Sequence, residues 1–158
     1  MRTAIIGALL IAAVSTLGDF VWAGLHLRFV YGLAHGTILF FCLGAYFGSL
    51  QRNTAKGVFY GAAIGLAAAG SFYMLEPVAG YSVMFFVWAF VWIALAFVAG
   101  GPLRRGVLAI VGSGAGFYLS DIWRPLNPEG WDYALQFLSW TIAYLPGFLA
   151  LSYRPSRR

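Results

Sequence analysis

The stretch LEPVAGY, residues 75–81, decides how many helices this sequence forms. It interrupts a predominantly apolar run over residues 57–101. One helix needs about 20 apolar residues to cross a bilayer, so this run is too long for a single crossing. Glu76 and Pro77, followed by Gly80, are a turn signal. The stretch therefore predicts two antiparallel helices where an uninterrupted run would predict one.

The rest of the chain has the same apolar character and predicts an all-α membrane helix bundle. Of the 158 residues, 61% are hydrophobic and 9% are charged, whereas a soluble domain has about 25% charged residues. So few charges cannot cover a water-facing surface. We therefore expect one transmembrane domain, residues 1–158, whose N-terminal segment is retained as a helix rather than cleaved as a signal peptide. The predicted transmembrane helices are residues 3–25, 29–50, 57–75, 79–100, 105–122 and 131–152.

Most basic residues fall on one side of this six-helix plan, and only Arg28 and Arg124 fall on the other. Cytoplasmic loops retain Lys and Arg, so both termini are predicted to be cytoplasmic, in the inner membrane of a bacterium or an archaeon. The basic residues form short clusters rather than a continuous patch, so we expect no nucleic-acid partner. The inner-side residues are Arg2, Arg52, Lys56, Arg104, Arg105, Arg154, Arg157 and Arg158.

The acidic residues fall at the opposite, outer end, where His26 and His35 are also placed. Each odd-numbered helix ends in an aromatic cluster with one acid, in the sequences LGDFVW, FYMLEP and FYLSDIW. This similarity suggests three α-hairpin repeats. A binding site is therefore expected at the outer end. The acids are Asp19, Glu76, Asp121, Glu129 and Asp132.

Helical periodicity groups these polar residues into a candidate site. Asp19, Trp22 and His26 share one face of the first helix. A carboxylate within a membrane helix normally faces the bundle interior and has a partner. Asp19 therefore either forms a pair with an arginine or histidine that fixes the fold, or binds a ligand. The candidate ligand-binding residues are Asp19, Trp22, His26, His35, Tyr118, Asp121, Arg124, Gln136 and Trp140.

Several of these residues also have a purely structural interpretation. Asp121 and Arg124 are three positions apart, which favours a local ion pair. His35 is expected to be neutral and hydrogen-bonded to a backbone carbonyl or a tyrosine. The aromatic stripe that includes Gln136 and Trp140 is also typical of a packing surface. His26 and His35 lie on different helices without a supporting motif, so no metal or haem site is predicted, and no cofactor is identified.

Glycine spacing predicts how the helices pack. Gly57, Gly61 and Gly65 are four residues apart, as are Gly112 and Gly116, and small residues at this spacing let two backbones approach closely. This pattern predicts that the third and fifth helices are central. Pro146 should free the carbonyl of the residue four positions earlier and kink the last helix.

The composition favours a non-enzymatic protein that binds an amphipathic or lipid-like ligand in a cleft open to the outer side. A small proton- or cation-coupled transporter or channel is the alternative. An intramembrane enzyme with paired Asp19 and Asp121, or a subunit of a larger membrane complex, also fits. The sequence contains no H-E-x-x-H, G-x-S-x-G or P-loop motif. Expected partners are membrane lipids, a second copy of the chain or another membrane protein.

Overall fold

The computed structural model describes residues 1–24, 28–125 and 128–153. Within these ranges the chain forms six α-helices and one 3₁₀ turn, and it has no strand. The all-α prediction and the number of helices are therefore confirmed. The elements are α1 (Arg2–Gly24), α2 (Arg28–Leu50), α3 (Thr54–Ala79), the 3₁₀ turn Gly80–Ser82, α4 (Val83–Val98), α5 (Leu103–Asp121) and α6 (Asp132–Ser152).

Four of these helices, α1, α2, α3 and α6, are long and apolar enough to cross a membrane. The helix α4 is apolar but has only 16 residues. The helix α5 has 19 residues, but it begins with two arginines and contains several glycines. These four helices are consistent with a membrane protein, whereas α4 and α5 are not long and apolar enough to qualify as spans by the same criteria.

The boundary between α3 and α4 differs from the predicted one. The helix α3 continues through Glu76 and Pro77 to Ala79, and the break falls at Gly80, whose φ is 66°. Proline removes one backbone donor but does not end a helix by itself. A glycine in the left-handed region does end it, because other residues rarely adopt that conformation. The turn signal was correct, but the helix before it is longer than predicted.

The helices α2 and α3 are in backbone contact along a line of glycines. A Cβ atom added to Gly44 of α2 would overlap the carbonyl oxygen of Gly57, and one added to Gly61 of α3 would overlap the carbonyl oxygen of Phe40. The same contact continues at Gly48, where an added Cβ would lie 2.6 Å from the Cα of Gly57. The predicted close packing is therefore confirmed, and its partner is α2.

The predicted central position of α3 is wrong. Only 17% of its apolar span is buried inside the protein, compared with 39% for α1 and for α6. The glycines allow one face of α3 to pack closely on α2, and most of the remaining surface of α3 is exposed. The helix α1 packs mainly on α6, and α5 also packs on α6. The α5–α6 pair agrees with the third hairpin of the suggested repeat, whereas the α1–α6 and α2–α3 pairs do not belong to it, and the repeat stays a prediction.

The contact between α5 and α6 centres on Pro146. A Cβ atom on Gly112 would lie 2.8 Å from the Cβ of Pro146, and one on Gly116 would overlap the carbonyl oxygen of Ile142. The backbone N–H of Gly147 donates to the Oγ of Ser113 at 3.0 Å. Helix α6 continues through Pro146, and Ser113 of α5 accepts a hydrogen bond next to the proline, while the predicted kink stays a prediction.

The bundle has two different ends. Because consecutive helices are antiparallel, α1, α3 and α5 end where α2, α4 and α6 begin. We call this end the acidic pole, since it holds Asp19, Glu76, Asp121, Glu129 and Asp132. The other end, which includes Arg2, Arg52, Lys56, Arg104 and Arg105, is the basic pole. The core in the half near the basic pole contains large buried side chains at Phe47, Trp92, Leu95 and Phe148.

Candidate functional site

A cleft of about 380 Å³ lies in the half of the bundle near the acidic pole, between α1, α2, α3, α4 and α6. We call it the central cleft. Its volume is within the usual range for small-molecule sites, about 300–1,000 Å³. Small residues, such as Gly36 and Ala69 at the contact of α2 with α3, leave this space open. Its aromatic lining consists of Tyr31, Phe40, Phe72, Tyr73, Trp88, Trp140 and Tyr144.

The carboxylate of Asp19 is the acidic group of the cleft lining. Its Oδ2 accepts hydrogen bonds from the Nε2 of Gln136 at 2.8 Å and from the Nε1 of Trp140 at 2.6 Å. Gln136 and Trp140 are four residues apart, so they project from the same face of α6. Both donors are neutral. They fix the position of the carboxylate, and no Lys or Arg among the described residues forms an ion pair with it.

The predicted arginine or histidine partner of Asp19 is not found among the described residues. Arg124 instead pairs with Asp121, which confirms the local ion pair expected from their spacing. The guanidinium of Arg124 also lies over the rings of Phe117, at 4.5 Å, and Trp140, at 5.6 Å. Arg124 therefore lies against the rings of Phe117 and Trp140, while Asp19 accepts a hydrogen bond from the indole N–H of Trp140.

His35 lines the cleft next to Asp19. Its ring lies directly against Gly18, where a Cβ atom would overlap it. The ring also stacks on Tyr31, with centroids 5.9 Å apart and planes 8° from parallel. The hydroxyl of Tyr31 donates to the carbonyl oxygen of Gly18 at 2.7 Å. The hydrogen bond that we expected for His35 is not found within the described ranges, and stacking positions the ring instead.

The remaining wall combines hydrogen-bonded and unsatisfied polar groups. The Oγ of Ser15 donates to the hydroxyl of Tyr144 at 3.2 Å, and the ring of Tyr144 stacks on Trp140 at 5.7 Å. The Nε1 of Trp88 and the Oε1 of Gln136 are buried and have no partner among the described residues. A buried unsatisfied group costs about 1–3 kcal/mol. Trp88 is also one of the residues that line the cleft.

The cleft is lined by three of the nine predicted site residues: Asp19, His35 and Trp140. A fourth, Gln136, donates a hydrogen bond to Asp19. Tyr118 does not line the cleft, because it stacks on Phe85 at 4.9 Å on the outside of α5. Asp121 and Arg124 also lie outside the lining. The side chains of Trp22 and His26 lie outside the described residues.

The candidate site residues from the sequence did not include five aromatic residues that line the cleft: Tyr31, Phe72, Tyr73, Trp88 and Tyr144. Aromatic side chains at helical spacing were visible on several helices, but their common direction depends on how the helices are rotated. The described residues contain no group of three His, Cys, Asp or Glu side chains that could hold a metal ion. Comparisons with protein-family models, curated proteins and solved structures found no match.

Proposed function

We propose that this chain is an integral protein of a bacterial or archaeal inner membrane, in which all six helices cross and both termini are cytoplasmic. Four helices have suitable length and apolarity, and α4 and α5 pack in the same antiparallel bundle. Large apolar side chains on the surface support lipid as the solvent: Val78, Phe86 and Leu108 are 88%, 77% and 62% exposed. Many exposed large apolar side chains of this kind are unusual for a surface in water.

We further propose that the protein binds an amphipathic, lipid-like ligand in the central cleft, without catalysing a reaction. The polar head of the ligand contacts Asp19 and His35, and its apolar body lies against the aromatic walls. The observation that carries this proposal is an open, aromatic-walled cleft around a carboxylate that α6 holds in a fixed position. A carboxylate that served only to fix the fold would be expected to have an ionic partner and no adjoining cavity.

The test is ligand retention by charge-neutral variants. The Asp19→Asn variant keeps a hydrogen-bond acceptor for Gln136 and Trp140 but removes the charge. The Glu129→Gln variant removes one charge from an exposed residue at the same pole and is the matched control. Wild type and Glu129→Gln should copurify the same small molecule, detected by mass spectrometry, and Asp19→Asn should lose it. Equal retention by all three proteins, or a cleft that never yields a ligand, would contradict the proposal.

The alternative function, transport, is favoured by a second hollow near the basic pole. This hollow has a volume of about 470 Å³ and is lined in part by Lys56, Tyr60, Ile64 and Ala94. Both hollows border α2, α3 and α4. On α3 they are separated by a single turn, since Ile64 lines the second hollow and Ala68 lines the central cleft. A short barrier between two hollows is the arrangement that a transporter needs.

Proton flux into proteoliposomes distinguishes transport from binding alone. A transporter should lose flux in Asp19→Asn, keep it in Glu129→Gln, and also lose it in Ile64→Phe, which enlarges the side chain between the two hollows. Ile64→Phe should still bind the ligand of the central cleft. If wild type shows no flux above empty liposomes, the protein is a binding protein and not a proton-coupled transporter.

A further inference from the structure

We propose that the polar head bound in the central cleft is an organic cation, an amine or quaternary ammonium group on an apolar body. This inference rests on the proposed binding function and specifies its ligand class. It derives from three features of the cleft: the sign of its charge, the chemistry of its walls and the small number of oxygen ligands that it offers.

The charge of the lining is negative. Asp19 is the carboxylate of the lining, and the described residues that line the cleft include no Lys or Arg. The two donors to Asp19 among the described residues are neutral, so neither balances the charge of the carboxylate. An uncompensated charge is unfavourable in an apolar cavity, and a ligand of opposite charge removes this penalty. An anionic head group would instead be repelled, and a neutral head group would leave the charge as it is.

The walls are also suited to a cation. The faces of Trp, Tyr and Phe rings carry negative electrostatic potential and attract ammonium and guanidinium groups. One wall residue, Trp140, already has a cation of the chain over its ring, because Arg124 lies over Phe117 and Trp140 from outside the cleft. Trp140 thus links an existing cation–π contact to the carboxylate of Asp19. Trp88, Tyr144 and Tyr31 provide further rings inside the cleft.

An inorganic cation fits less well than an organic one. Calcium takes six to eight oxygen ligands, and magnesium requires an octahedral oxygen shell. The cleft offers one carboxylate, and the described residues contain no group of three His, Cys, Asp or Glu side chains. The volume of about 380 Å³ and the aromatic walls instead suit a cation whose positive charge is covered by carbon.

The experiment uses the full-length protein in nanodiscs of zwitterionic lipid and three probes that share a ten-carbon chain. Binding of radiolabelled decyltrimethylammonium is measured by scintillation proximity, with empty nanodiscs subtracted. Decyltrimethylammonium, 1-decanol and decanoate then compete at equal mole fraction in the membrane. We expect the cation to compete at least tenfold better than either other probe, and we expect this preference to disappear in Asp19→Asn but to persist in Glu129→Gln.

The outcomes separate this inference from the proposed function. Equal competition by the three probes at a saturable site would overturn the cation assignment and leave amphiphile binding intact, as would a stronger effect of decanoate. Saturable binding of none of the probes would overturn the binding function itself. Should Asp19→Asn fail to fold, the preference of wild type still decides, and Asp19→Glu, which keeps the charge, should retain that preference.

Discussion

At the scale of single residues, Trp88 and Trp92 have the same side chain but differ in their position relative to the central cleft. Both indole N–H groups are buried without a partner among the described residues. Trp88 lines the central cleft, whereas Trp92 is almost completely buried and packs against Gly147 outside it. The same chemical change at the two positions therefore separates ligand contact from packing.

We predict that Trp88→Phe weakens ligand retention by about fivefold, the equivalent of about 1 kcal/mol, because the indole ring attracts a cation more strongly than a phenyl ring does. The free energy of unfolding should stay within about 1 kcal/mol of wild type, because Phe keeps an aromatic ring and removes an unsatisfied donor. Trp92→Phe should retain the ligand fully. Retention is measured by mass spectrometry and unfolding by SDS titration in mixed micelles. Equal loss of ligand in both variants would show that the indole of Trp88 has no specific role.

The hydrogen bond from Trp140 to Asp19 is predicted to contribute to stability. Trp140→Phe keeps an aromatic ring against Tyr144 but removes a donor to a charged acceptor, so the free energy of unfolding should fall by about 1.5–3 kcal/mol. The same SDS titration measures it. Trp92→Phe is again the control, since its indole makes no hydrogen bond among the described residues. If the two variants unfold alike, Trp140 contributes through packing only.

Sequence periodicity could identify the polar residues of the site but not most of their partners. Asp121 and Arg124 were paired correctly, because the helix itself fixes that contact. The partners of Asp19 are 117 and 121 residues away on α6. They depend on α1 packing against α6, which no local pattern encodes. Tyr118 was assigned to the site although it does not line the cleft. Periodicity shows which residues share a face of α5 but not the direction in which that face points.

At the scale of helices, the glycines of α3 have different roles at different positions. Gly61 is in backbone contact with α2, whereas a Cβ atom on Gly70 of the same helix would only just touch Leu33, at 4.0 Å. Their spacing in sequence suggested close packing but not which glycines are needed. The end of α3 also depends on one particular glycine. Gly80 ends the helix, and Pro77 is accommodated in its last turn.

We predict that Gly61→Ala destabilises the protein and that Gly70→Ala does not. An added methyl group at Gly61 must separate α2 from α3, which should cost about 1–3 kcal/mol, as overpacking does elsewhere. At Gly70 there is room, and replacing a helical glycine by alanine should stabilise by about 0.5–1 kcal/mol. Free energies of unfolding from SDS titration decide. Destabilisation of similar size in both variants would mean that the backbone contact at Gly61 is not close.

At the scale of the whole molecule, the bundle combines a tightly paired α2–α3 unit with a body formed by α1, α4, α5 and α6. The central cleft lies where these two parts meet. The charge pattern in the sequence anticipated the two poles, because alternating antiparallel helices must place the ends of α1, α3 and α5 together. The position of the cleft could not be predicted, since it depends on where the side chains of the two parts leave a gap between them.

The orientation of the whole bundle depends on its shortest helix. With 16 residues, α4 is about 24 Å long, whereas the hydrocarbon core of a bilayer is about 30 Å thick. The preceding 3₁₀ turn and the apolar residues after Val98 extend its apolar stretch. Local thinning of the bilayer also accommodates a short helix at modest cost. We therefore predict that α4 crosses the membrane and that the poles face opposite compartments.

Single cysteines introduced into a Cys42→Ser background test this prediction directly. Ser82→Cys and Glu129→Cys at the acidic pole should react with a membrane-impermeant maleimide applied to intact cells from outside. Thr54→Cys and Leu103→Cys at the basic pole should react only after permeabilisation, because eight of ten basic residues are expected to hold that side in the cytoplasm. If α4 did not cross, Ser82→Cys and Leu103→Cys would react from the same side. The central cleft would then have no outer opening, and the proposed ligand would have to enter from the bilayer.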